Sequence, residues 1–316
     1  MKTVIVIVFS LILPLMNING QREGHDRQPA VAGSFYPSGI DKLTSDLKGF
    51  FSTCKGPVEG MRVRALIAPH AGYVYSGHTA AAAFAAIPAD ADYDNIFLLG
   101  TSHRYAFDGA AVFTSGDMIT PLGKVEVNRT IGEKLTGRSS LFFTRDDAHL
   151  PEHSLEVELP FIQYHLNKAI PVIPILLGTQ NKTTLRSVAA ELKPYFNERN
   201  LFVISSDFSH YPSYDDAVKV DRQTSNAIIS GDPDALLKSV KNAEASGIGG
   251  LATAMCGWPA GVVLMYLTEG EGGLHYRNVE YTNSGDYRYG DKNQVVGYNA
   301  IVVEEKKTVT SATPKM

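Results

Sequence analysis

Four short apolar runs do most to limit how this chain can fold, because each is too brief for a helix and too uniformly apolar for a strand with one wet face. They are ArgAlaLeuIleAla (64–68), IlePheLeuLeuGly (96–100), ProValIleProIleLeuLeuGly (171–178) and LeuPheValIleSer (201–205). Runs of this length, rich in β-branched or aromatic side chains and bounded by turn formers, read as strands buried on both faces. Between them the pattern turns helical. Ile40, Leu43, Leu47, Phe50 and Phe51 share one helical face; the alanine-rich stretch Thr79 to Ile87 has Ser76 as a candidate cap. Leu155, Leu159, Ile162 and Leu166 form a stripe that Ser154 could cap, and Leu185, Val188 and Leu192 form another.

Strands alternating with helices predict an α/β fold: a single large domain whose mostly parallel central sheet is flanked by helices. An extended stretch at Pro29 to Pro37 precedes it, and Tyr276 to Thr282 and Val295 to Val303 add two further strand candidates. No internal repeat or Gly/Ser linker divides the chain, so one domain over residues 26–303 is expected, with a disordered, Thr/Ser/Pro-rich tail over 304–316.

Residues 1–20 have one early lysine, an uncharged apolar run from Val4 to Met16 and small or polar residues up to Gly20. That is the layout of a signal peptide, and the run falls short of the roughly 20 residues that span a bilayer. The expectation is export to a periplasmic or extracellular location, with no stable membrane insertion after cleavage. Thirty-three acidic against 29 basic residues leave no basic stripe to offset phosphates, which argues against a nucleic-acid partner. Two cysteines, Cys54 and Cys256, exclude a disulfide-dense scaffold and allow one bridge at most.

The chemistry lies where strands end. Three of the four runs lead directly into a polar motif holding a histidine: ProHisAlaGlyTyr with His70, ThrSerHis with His103, and SerAspPheSerHis with His210. The carboxyl ends of parallel strands share one rim, so these imidazoles are expected to converge there. Cys256, in AlaMetCysGlyTrpPro, is the thiolate candidate. Gly257 beside it permits close backbone approach, and the apolar helix candidate Ala260 to Leu267 behind it would lower a thiol's pKa at its N-terminus. Imidazoles with a thiolate suit zinc, iron or copper. Any one of these histidines could equally be a hydrogen-bonded loop residue; it is the set that points to a metal. Asp207 could orient an imidazole, act as general base, or cap a helix or turn. His153 and Glu156 would face together on a helix, as part of the pocket wall or as an ordinary first-turn pair. His25, His78, His149, His165 and His275 read as structural or exposed.

Seven motifs appear in order: AlaGlySerPheTyrPro (32–37), IleAlaProHisAlaGlyTyr (67–73), LeuGlyThrSerHis (99–103), GluHisSerLeuGlu (152–156), LeuProPheIle (159–162), SerSerAspPheSerHis (205–210) and CysGly (256–257). Through them the chain resembles the MEMO family, also called AmmeMemoRadiSam system protein B. The resemblance spans essentially everything after the leader. It implies a fold similar to class III extradiol dioxygenases, with metal ligands at His70, His103 and Cys256, and Asp207 and His210 lining the same pocket. Fe(II) is the metal the resemblance implies first, with copper also associated with the family and zinc open on the donor set. Arg104 stands where relatives often carry a second histidine, and Pro151 where an acidic residue is common.

Three functions follow as expectations. The first is a non-haem iron, oxygen-dependent oxidoreductase acting on a small molecule, with His210 as acid/base and Asp207 as its orienting partner. The second is a non-catalytic redox-metal or peptide-binding module, for which Tyr73, Tyr75 and Trp258 would supply rim aromatics. The third is a zinc-dependent hydrolase.

Overall fold

The computed structural model describes residues 25–166 and 168–307. Residues 1–24, on which the signal-peptide expectation falls, and residues 308–316 lie outside the described residues. Ten strands run in chain order: β1 (Met61–Ala68), β2 (Asn95–Thr101), β3 (Ala110–Val112), β4 (Met118–Thr120), β5 (Gly123–Val125), β6 (Phe142–Phe143), β7 (Val172–Leu177), β8 (Asn200–Ser205), β9 (His275–Asn283) and β10 (Gly297–Lys306). The helices are α1 (Ile40–Phe51), α2 (Tyr73–Ala85), α3 (Arg129–Arg138), α4 (Asp146–His149), α5 (Leu159–His165), α6 (Lys182–Leu192), α7 (Tyr214–Ile229), α8 (Pro233–Glu244) and α9 (Trp258–Thr268).

Eight strands form one sheet in the order β6-β3-β7-β2-β8-β1-β10-β9. Its centre, β7-β2-β8-β1, is parallel, and β3, β10 and β9 join antiparallel to their inner neighbours. The four runs read from sequence are these four central strands, buried along nearly their whole length. One apolar layer packs α1, α2 and α5 on one face of the sheet, and a second packs α6, α7, α8 and α9 on the other. Two-faced burial of the parallel strands follows from this covering. Among the described residues, no helix is long and apolar enough to cross a membrane.

Several local readings need correction. Pro29 to Pro37 is not extended: Gly33, at φ 88°, turns the chain so that its N–H reaches Tyr36 O. Ser76 does not cap α2, which starts at Tyr73; its hydroxyl lies one turn in and donates to Ala71 O. Ser154 caps nothing either. The Leu155 to Leu166 stripe is a 3₁₀ turn (Glu156–Glu158) followed by the short α5, and Ser154 is buried against the end of β2, its Oγ 3.4 Å from Thr101 O. Strand β10 runs on through Lys306, so Glu304 is buried in the sheet, ion-paired to Arg277, and does not begin a tail. The strands β3 to β6, of two or three residues each, are too short to leave a readable period.

Candidate metal centre

The motifs at the ends of β1, β2 and β8 meet at one rim, as parallel strands require. His70 follows β1, His103 follows β2, and Asp207 to His210 follow β8. Cys256 arrives from the opposite layer, just before α9. Its N–H donates to Asp207 O (3.2 Å), and the N–H of Gly257 donates to Ser206 Oγ (2.8 Å). A Cβ on Gly257 would sit 2.5 Å from Ser206 Cβ and 2.7 Å from Ser205 O, so only glycine lets Cys256 lie against the end of β8.

One donor atom each from His70, His103 and Cys256 lies within 4.8 Å of the other two. His70 Nε2 is 3.3 Å from Cys256 Sγ, and the two imidazole centroids are 5.1 Å apart and edge-on. The far nitrogen of each ring is already tied. His70 Nδ1 sits 2.8 Å from Ser205 Oγ, and that hydroxyl also contacts Ser154 O and Glu158 Oε1. A hydroxyl has one hydrogen; given to the Ser154 carbonyl, it leaves Ser205 to accept from His70 Nδ1–H, which frees Nε2 as a lone-pair donor. His103 Nδ1 is 2.9 Å from Glu152 Oε1, and its backbone N–H donates to Glu152 Oε2 (2.8 Å). Polar partners of this kind on the outer nitrogen orient metal-ligating histidines.

Charges follow from burial and neighbours. Burial holds His70 well below its usual value, and the other imidazoles add to the effect, so it is neutral. Burial also lowers His103, but the thiol of Cys256 and Glu152 outweigh it and raise this ring to about 10. The Cys256 thiol is pushed up by burial, with His103 opposing, so the helix behind it does not produce the lowered pKa expected from sequence. Cys256 and His103 thus share protons at this spot, and a metal that claims both lone pairs must release them. Glu152, although buried, is held far below the ordinary carboxylate range by bonds from His103 and His153.

His153 joins the cluster, its ring centroid 4.7 Å from that of His103 and 5.2 Å from that of His70. His210 lies close enough for the charges of His103 and His153 to add to burial in lowering it to about 4, and its buried Nε2 has no partner among the described residues. Asp207 does not orient His210. Its Oδ1 accepts the N–H groups of His70 (2.8 Å) and Ala71 (3.2 Å), fixing the backbone of the β1 loop. Burial raises its carboxyl to about 6.

Glu156 is not part of this pocket and does not face His153. Its buried carboxylate accepts Arg27 Nη1, the N–H groups of Ala30 and Val31, and the Tyr36 hydroxyl. Tyr73 is also core: its ring packs on Tyr36 and Phe161 and its hydroxyl donates to Val157 O. Tyr75 stands edge-on to Tyr287, and Trp258 packs into the layer under α8 and α9. Cys54 and Cys256 are both free, Cys54 lying against Phe50 O under α1, so no bridge joins them. Sequence reasoning passed over Glu152, Ser205 and Glu158 as partners of the ligands; only the position of Glu152, immediately before His153, hinted at its role. Beside His103 an open cleft of about 770 Å³ is lined by Arg104, Tyr105, Phe107 and Asn181. Arg104 Nε donates to Pro151 O across its edge (3.2 Å).

The molecule is thus a single α/β domain with a histidine-rich rim at the carboxyl ends of its parallel strands. A family model described as Memo-like protein matches residues 27–302. A MEMO1 family protein of Methanosarcina barkeri is 36% identical over 287 residues, covering 88% of this chain and 100% of that relative. Another from Methanosarcina acetivorans is 33% identical over 286 residues (88% and 99%), and one from Archaeoglobus fulgidus 35% over 281 residues (87% and 98%). The chain belongs to the MEMO family.

Proposed function

We propose that the chain is a mononuclear metal protein, with iron(II) held by His70 Nε2, His103 Nε2 and Cys256 Sγ, acting as an oxygen-dependent oxidoreductase on a small molecule. The observation that carries this reading is the convergence of three donors within 4.8 Å, with the outer nitrogen of each imidazole already engaged. The donor set fits the group: two imidazoles and one thiol suit a borderline metal, and His210, whose buried Nε2 has no partner among the described residues, lies near enough to feel the charges of His103 and His153. Copper fits the same donors, and zinc at this site would favour hydrolysis instead.

Iron(II) held here would supply redox chemistry with dioxygen as the oxidant. The protein's own groups do the rest. Ser205 and Glu152 fix the tautomers of the two imidazoles, and Asp207 pins the loop that carries His70. His210, neutral at pH 7, can accept a proton from a substrate hydroxyl, whereas a protonated imidazole could not. The cleft beside His103 gives a small molecule access, with Arg104 at its edge. The leader pattern supports an exported location, which cell fractionation tests directly.

The decisive experiment measures metal bound by anaerobically purified full-length chain, wild type beside His70→Ala and Cys256→Ala. Stoichiometric iron in the wild type, lost in both variants that remain folded by circular dichroism, is expected, followed by iron-dependent oxygen uptake. Zinc in place of iron, or metal retained in both variants, overturns the assignment.

A further inference from the structure

The histidine cluster holds a second convergence of donors, which the centre at Cys256 does not use. His153 contributes no atom to the set of His70, His103 and Cys256, yet one donor atom each from His103, Glu152 and His153 lies within 4.8 Å of the other two. Glu152 Oε1 is 2.9 Å from His103 Nδ1 and 3.2 Å from His153 Nδ1. Ligand atoms bound at about 2.0–2.2 Å to one cation stand about 3 Å from one another, so these three side chains need move little to close on an ion.

Each donor is held by a different part of the molecule. Arg27 Nη2, anchored in the core, donates to Glu152 O and braces the backbone of the turn. The Glu152 carboxylate accepts the N–H groups of His103, His153 and Ser154, which aims it at the loop after β2. Phe35 packs on the His153 ring, centroids 4.9 Å apart. Orienting His103 alone would leave the ring of His153 without a role. The side chains of His103 and His153 are 29% and 22% exposed, against 1% for Glu152. A hydrated cation therefore reaches the imidazoles from water and meets the buried carboxylate last.

We propose that His103, Glu152 and His153 form a second divalent-cation site, for zinc, which shares the ring of His103 with the first: Nδ1 serves this site while Nε2 serves the other. Two imidazoles and one carboxylate, with the remaining positions open to water, are a donor set of catalytic zinc, whereas the thiolate of the first centre suits a softer ion. Zinc takes the lone pair of His103 Nδ1, the proton there leaves to solvent, and the bond from Nδ1–H to Oε1 gives way to two metal–ligand bonds. With two of its three donors in contact with water, the site fills when zinc is supplied and empties during purification. It stands on its own donors, whatever ion Cys256 holds.

The test counts zinc on the full-length chain, stripped with a chelator and then dialysed against buffered free Zn²⁺. Two ions per wild-type chain are expected, one in His153→Ala, one in Cys256→Ala and none in His103→Ala. His153→Gln, which fills the space without an imidazole, is expected to match His153→Ala, and both metal-free variants to keep the wild-type thermal midpoint, because this side chain is partly exposed. A single zinc in the wild type, or a second zinc retained in both His153 variants as an adventitious ion only, overturns the inference. Loss of only one ion in His103→Ala overturns the shared ring. Two ions in Cys256→Ala with one lost in His153→Ala would instead count against the first centre and leave this one standing.

Discussion

Two buried polar networks sit on either side of the turn at residues 152–158, and they differ in one respect that separates structure from chemistry. In the first, Glu156 accepts four donors and Arg27 spends its guanidinium on Glu156 and on the carbonyls of His149, Leu150 and Glu152. Both side chains are essentially unexposed, and every lone pair of the carboxylate is used. In the second, the histidine cluster, the outer nitrogens of His70 and His103 are used, one donor atom each of His70, His103 and Cys256 lies within 4.8 Å of the other two, and His210 Nε2 has no partner among the described residues. A saturated network holds a fold together; the metal proposed above would draw on the converging donors of the second.

Glu156→Gln is the harshest test of the first half of that contrast. An amide turns two donors toward groups that are themselves donors and leaves Arg27 as a buried unpaired charge, so a loss of about 3–5 kcal/mol is expected. Urea denaturation reads it, and metal bound per folded molecule should not change. A loss below about 1 kcal/mol would mean that the knot is not a structural anchor.

His149 belongs to the saturated side, its Nε2 on Ala111 O, and burial lowers it to about 4. Because its folded pKa lies below the unfolded value, the unfolded chain takes up the proton first as pH falls. The contribution is complete above about pH 6.5 and is lost as pH falls toward 4, which amounts to about 3 kcal/mol. In His149→Gln this part of the acid limb should vanish. Urea midpoints at pH 7 and pH 4 that change equally in variant and wild type would refute it.

Glu152 tests the receptive side. It fixes His103 from outside, and also accepts the N–H groups of His153 and Ser154 (both 3.0 Å). Glu152→Gln is expected to weaken metal binding by about 10–100-fold, read by competition with a chelator, while the variant still folds. Wild-type affinity would remove Glu152 from the site.

The difference between these networks also explains what could be read from sequence. Cys256 was singled out by the glycine beside it and the apolar helix behind it, whereas the placement of His70 and His103 was legible because each follows a buried strand and parallel strands share a rim. The central sheet was legible for the same reason. Glu152, Ser205 and Glu158 were not, because their roles are contacts between β8, the β2 loop and the 152–158 turn, which no local period encodes. Tyr73 misled because position one of α2 faces inward here, and Glu156 because a 3₁₀ turn, in place of the expected α-helix, rotates it away from His153. The short strands β3 to β6 take their pairing from neighbours distant in sequence.

Glu158 gives the smallest expected effect and the sharpest contrast, being two residues from Glu156 and just as buried. Burial pushes its carboxyl well above the usual range, with Asp207 adding to the shift against the opposing bond from Ser205, which favours the protonated form. One oxygen lies 3.0 Å from Ser205 Oγ and the other has no partner among the described residues. A glutamine has the shape of a protonated glutamate and can still donate to Ser205, so Glu158→Gln should cost less than about 1 kcal/mol at pH 7. The same substitution two residues away is expected to cost several times more. Equal losses in the two variants would show that Glu158 is ionised and that Ser205 gives its single hydroxyl hydrogen to it and not to Ser154 O.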